Sequence, residues 1–158
     1  MRTHAAVPLV AVLFSLLAIP AVADAATPKA CDLLSAQTAT SLLGAAVGKP
    51  TDMKGATCTY VCTSGNATIA LGIADSSGTD GAHDIQVLQM MASQEKGTTT
   101  KSIAGLGEQS FLVTRTSNKN AIVLVYHQKM LTLAVQRPMT PELEKAMVQT
   151  LRQVLAKL

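Results

Sequence analysis

The stretch Gln109 to Gln136, QSFLVTRTSNKNAIVLVYHQKMLTLAVQ, decides the fold. Its first part, Gln109 to Arg115, is rich in β-favouring residues and runs into the polar turn Thr116-Ser117-Asn118-Lys119-Asn120. Ala121 to Tyr126 is an almost unbroken apolar run, which reads as a central strand. Met130 to Gln136 sets Leu131, Leu133 and Val135 against Thr132, Ala134 and Gln136, an alternation of period two. The connections are too short for the crossover that parallel strands need, so the three strands pair antiparallel.

Working outward from this meander, the C-terminal segment is a helix. Thr140 suits the N-cap, Pro141 the first helical position, and Glu142 and Glu144 the positive helix start. Leu143, Ala146, Met147, Thr150, Leu151, Val154, Leu155 and Leu158 recur at three and four. Lys145, Gln149, Arg152, Gln153 and Lys157 take the opposite side. Upstream, Ala104-Gly105-Leu106-Gly107-Glu108 is a glycine turn. A strand follows it, not the helix N-terminus that a phosphate-binding loop requires. Thr98 to Ile103 fits a short edge strand, and about Gly81 to Lys96 a helix capped by Thr79 or Asp80 and ended by Gly97. On that helix Ile85, Leu88, Met91 and Ala92 share a side, so Met90 and Met91 are expected to fill core.

Closer to the N-terminus, Thr57 to Cys62 and the alternating Ile69, Leu71 and Ile73 read as a hairpin across Thr63-Ser64-Gly65-Asn66. Ser35 caps a short helix with Ala39, Leu42 and Leu43 on one face, ended by Gly44. Gly48 to Asp52 and Gly55 read as loop. The resulting order, α-β-β-α-(β)-β-β-β-α, predicts an α+β domain over residues 26–158: a single antiparallel β-sheet packed by helices.

Residues 1–25 are expected to be a cleavable signal peptide. Arg2 and His4 supply the positive start and Val7 to Ile19 the apolar run. Ala21-Val22-Ala23 and Ala23-Asp24-Ala25 offer two cleavage sites. The apolar run is short for a membrane span. Lys29, two residues before Cys31, suits no lipoprotein cleavage site. Removal of the segment takes away Arg2 and Asp24, one charge of each sign, so the net charge of +3 is unchanged. The charges are scattered, and there is no Trp, two Phe and two Tyr in the whole chain. Base-stacking platforms and a phosphate-tracking stripe are therefore missing, which argues against nucleic-acid binding.

Export allows disulfides to persist. If Cys58 and Cys62 lie on one strand, four residues at roughly 3.3 Å hold them about 13 Å apart, beyond the ~7 Å reach of a bridge. Cys31 then pairs with one of them, and one thiol remains. Cys62 as the remaining thiol reads either as a reactive group or as a buried, inert one, and burial is the favoured reading.

Cys31-Asp32-Leu33-Leu34-Ser35, the helix end Leu42-Leu43-Gly44, Cys58-Thr59-Tyr60 and Gly105-Leu106-Gly107-Glu108-Gln109-Ser110-Phe111 together resemble a pattern. It is that of a large uncharacterised family of small secreted bacterial proteins and lipoproteins, best known from actinobacteria. The resemblance implies a PsbP-like sandwich and a Cys31–Cys58 bridge, and brings no catalytic residues. The chain departs from the family in having Cys62 and in lacking a lipoprotein cleavage site.

His83 and His127 are the histidines left after signal removal, and pairing either with Cys62 or a serine would outline a nucleophilic site. Asp80-x-x-His83-Asp84 could form a metal fragment but reads as a solvated helix start, and His127 as a turn residue. No G-x-S-x-G elbow, H-E-x-x-H pair or Walker loop occurs. The expectation is thus an exported, secreted or periplasmic, non-catalytic binding or accessory module without cofactor or metal. It would contact an unknown protein or small ligand of the cell envelope through its loops or sheet face, at residues such as Thr132 and Gln136. The alternative is a small secreted hydrolase or thiol enzyme using Cys62 or His127.

Overall fold

The computed structural model describes residues 28–75 and 81–158. The signal segment, the Thr79 and Asp80 caps and the first residue of the Asp80-x-x-His83-Asp84 fragment lie outside these residues. Two helices come first, α1 (Ala30–Leu33) and α2 (Ala36–Leu43), then strands β1 (Thr51–Met53), β2 (Thr57–Val61) and β3 (Thr68–Asp75). Helix α3 (Gly81–Gln94) precedes β4 (Thr98–Ser102), β5 (Gln109–Arg115), β6 (Asn120–His127) and β7 (Lys129–Gln136), and α4 (Pro141–Leu155) closes the chain. The seven strands form one antiparallel sheet in the order β1-β2-β3-β7-β6-β5-β4. This is the α+β architecture expected from the element order.

The two meanders, β1–β3 and β4–β7, join where β3 pairs with β7, Ile69 facing Val135 and Leu71 facing Leu133. Period two then sends alternate residues to opposite faces. On one face Cys58, Tyr60, Ile69, Leu71, Val123, Val125, Leu131, Leu133 and Val135 meet α1, α2 and α4 in the main core. On the other, α3 lies over β4, β5 and β6 and buries Ile85 with Phe111 and Val113. The apolar run of β6 is explained by this double cover: Val123 and Val125 face the main core, Ile122 and Leu124 the α3 layer.

Local signals fix the helix ends. The Ser35 hydroxyl accepts from Thr38 N at 3.1 Å, and Gly44 ends α2 in the left-handed region at φ 72°. The Thr140 hydroxyl accepts from Leu143 N at 3.2 Å with Pro141 at the helix start. Tyr60 donates its hydroxyl to Leu34 C=O at 3.0 Å inside the core, fastening β2 to the α1–α2 junction.

Three features differ from the sequence reading. Residues 51–53 are an edge strand, not loop: Asp52 Oδ1 accepts from Gly55 N at 2.7 Å and closes a tight hairpin into β2. All three residues are exposed, so the strand has no buried side to leave an alternation. The one-turn α1 is too short to show a period. Finally, Met90 and Met91 are 57% and 62% exposed, and Leu88 is 38% exposed, which corrects the expectation that they fill core. Helix α3 rests on the sheet through the narrow line of Gly81, Ile85 and Ala92, leaving its flanks in solvent.

Candidate functional site

Cys31 and Cys58 form a disulfide with Cα atoms 4.8 Å apart, clamping α1 onto β2. Cys62 is a free, buried thiol just past β2. Its N–H donates to Ala67 C=O at 2.9 Å, and it bridges Val47 across the loop after α2. The side chain belongs to the main core.

The histidines lie elsewhere. His127 ends β6, exposed, with Nδ1 3.8 Å from Glu108 Oε1. His83 is exposed in the first turn of α3, whose Gly81 packs on the ring of Tyr126, so both histidines sit at the same end of the sheet. Cys62 is at the other end. Val61 stands in register through Thr68 and Gln136 with Asn120 at the start of β6. The seven steps from Asn120 to His127 span roughly 23 Å at about 3.3 Å per residue. Among the described residues no thiol–imidazole pair is assembled. Among the described residues no group of three His, Cys, Asp or Glu side chains could hold a metal.

The glycine turn has a structural explanation. Gly105 and Gly107 take φ of 68° and 66°, and a Cβ on Gly107 would lie 2.6 Å from Tyr126 O. Glu108 N donates to that same carbonyl at 2.8 Å. The turn lets the backbone pass close to β6.

A different feature offers binding geometry. Between α4 and the edge strand β4 runs an open groove of about 430 Å³. Ile103 and Val148 supply apolar lining, and Lys101, Lys145 and Arg152 line it with positive charge. Glu144 is the one carboxylate in the lining and pairs with Lys101 Nζ at 2.6 Å. Lys145 and Arg152 have no ion-pair partner among the described residues. Across the same edge, on the α3 side, a cleft of about 280 Å³ is lined by Ile85 and the uncharged Gln86, Gln89, Ser102, Gln109 and Ser110. Gln109 Oε1 is buried there without a hydrogen-bond partner.

Sequence reasoning placed Lys145, Gln149 and Arg152 together on the polar side of α4 but did not single them out. Their spacing of four and three was the available signal. What it lacked was Lys101, 43 residues before Glu144, which only the tertiary fold brings alongside.

The chain matches no protein-family model, no curated protein and no solved structure.

Proposed function

We propose that this chain is a non-catalytic binding or accessory module of the bacterial envelope, exported through its N-terminal signal and acting outside the cytoplasm. The observation that carries this reading is the α4–β4 groove, an open, preformed surface with apolar lining and unpaired cations. Such a mixture of apolar contact and a few placed polar groups is how binding sites combine affinity with orientation. The disulfide supports the extracytoplasmic setting, because such bridges persist in oxidising compartments. No helix among the described residues is long and apolar enough to cross a membrane. The Cys31–Cys58 bridge and the element order are also in keeping with the resemblance to the family of small secreted bacterial proteins and lipoproteins and with the PsbP-like sandwich it implies.

A thiol enzyme draws less support, since Cys62 is packed in the core away from both histidines.

The test is site-specific photo-crosslinking in the producing cell, with the crosslinking residue in place of Lys145 or, as a control, Lys49. A discrete adduct from position 145, absent from position 49 and abolished by Arg152→Glu, is the expected result. Equal or absent labelling at both positions would count against the groove.

A further inference from the structure

We infer that β4 is a docking edge for an extended acidic segment of a partner protein, which joins the sheet as an eighth strand. This rests on the binding-module reading and names its partner class.

The main chain supplies the first half of the case. Ile103 N donates to Ser110 O at 3.1 Å and Thr116 N to Gly97 O at 3.2 Å, so the 103–110 and 97–116 pairs are of the hydrogen-bonded kind. Antiparallel pairs alternate, so Thr99 and Lys101 also bond to β5, and Thr100 and Ser102 direct their N–H and C=O groups to the open edge. Among the described residues β4 is the last strand of the sheet. Thr98 N is already taken by Glu95 C=O at 3.1 Å, which closes the edge at that end. Two consecutive outward-facing residues therefore stand ready for a ladder.

The side chains supply the second half. An added strand sends alternate residues to opposite faces, and this edge has one cleft on each face. On the α4 side, Lys101, Lys145 and Arg152 outnumber Glu144, so an Asp or Glu side chain is the complementary one. On the α3 side the lining is uncharged and polar, with Gln86, Gln89 and Ser102, so an uncharged polar residue such as Ser, Thr, Asn or Gln is the complementary one. A recognised segment thus alternates acidic and uncharged polar residues. A second copy of this chain is disfavoured as occupant, because pairing β4 with β4 brings the same cations face to face, and an edge Lys opposes self-pairing.

The probe is a short labelled peptide of alternating Thr and Glu, compared with one of alternating Thr and Lys. Binding to the folded chain is read by anisotropy, and the contact by amide hydrogen exchange. The Thr-Glu peptide is expected to bind at least about tenfold more tightly, with an advantage that falls as salt rises. Binding should slow exchange at Thr100 and Ser102. Thr100→Pro deletes one outward donor at an edge position that tolerates proline, and should weaken binding about three- to tenfold. The exposed pair Lys145→Glu/Arg152→Glu, which leaves β4 untouched, should abolish the preference for Glu over Lys. A melting curve for each variant separates lost binding from lost folding. Equal affinity for both peptides, no binding by either, protection elsewhere on the sheet, or self-association through β4 would each overturn strand addition. Binding elsewhere would leave the module reading standing, whereas cleavage of either peptide, seen by mass spectrometry, would overturn that reading too.

Discussion

Gly81 lies flat against the ring of Tyr126: a Cβ built on the glycine would stand 2.1 Å from Tyr126 Cε2. No side chain fits there, and the contact sets how closely the start of α3 approaches β6. Gly81→Ala must displace the ring or the helix, an overpacking cost of roughly 1–3 kcal/mol. The double variant Gly81→Ala/Tyr126→Ala should lose less stability than the sum of the single ones, as expected for residues in contact. Gly105→Ala meets open space but keeps a φ of 68°, so it should cost only about 1–2 kcal/mol, from the left-handed backbone. Urea denaturation of the four variants checks the order. Strict additivity would mean that the ring does not rest on Gly81.

These glycines also show where the sequence was readable. The G-x-G at 105–107 could be assigned to structure because its neighbours read as strand, and β5 follows directly. β7 and α4 were legible because each buries one full side and so repeats its pattern over several turns or pleats, and β6 because cover on both faces leaves a continuous apolar run. β1 and α1 were not, since three exposed residues and a single turn hold no period. Met90 and Met91 misled for another reason. Periodicity reports which residues share a helix side, not how much of that side the neighbouring sheet covers. The groove was the least legible feature, because Lys101 and α4 meet only through the packing of a helix beside a strand distant in sequence.

The disulfide should contribute substantially to stability. It closes a loop with a sequence separation of 27, worth roughly 3–4 kcal/mol on the chain-entropy account. Cys31→Ser/Cys58→Ser should therefore lower the denaturation midpoint sharply, and reduction of the native protein should reproduce the shift. A change below about 1 kcal/mol would mean that α1 is held chiefly by packing, by Ala30 N donating to Gly55 C=O at 2.8 Å, and by the Tyr60 hydroxyl.

Cys62 should be silent in the native state. Its thiol is buried among core residues, so a thiol reagent such as dithionitrobenzoate should find no fast-reacting group until the chain is denatured, and one afterwards. Fast labelling of the folded protein would reopen the thiol-enzyme alternative, with Cys62 as the nucleophile.

Glu142 should make stability depend on acid pH. Its carboxylate is held below the ordinary range first by its own backbone N–H, then by the Thr140 hydroxyl, with slight burial opposing. A lowered native pKa means that the unfolded chain binds the proton more readily. The stabilisation is therefore fully present above the ordinary carboxylate pKa and is lost as pH falls through it to the native value. Glu142→Gln should be less stable than the parent at neutral pH, and the two should converge as the pH falls below the ordinary carboxylate range and the native carboxylate takes up its proton. The helix dipole acts in the same direction, because a carboxylate in the first turn of α4 faces its positive end. Thr140→Ala separates the contributions. It removes the cap to Leu143 N at every pH, by about 1 kcal/mol, and with it one of the two hydrogen bonds that hold the Glu142 pKa down. Its deficit should therefore persist in acid, where that of Glu142→Gln disappears. A Glu142→Gln deficit that does not shrink on acidification would show that the carboxylate acts through packing and not through its charge.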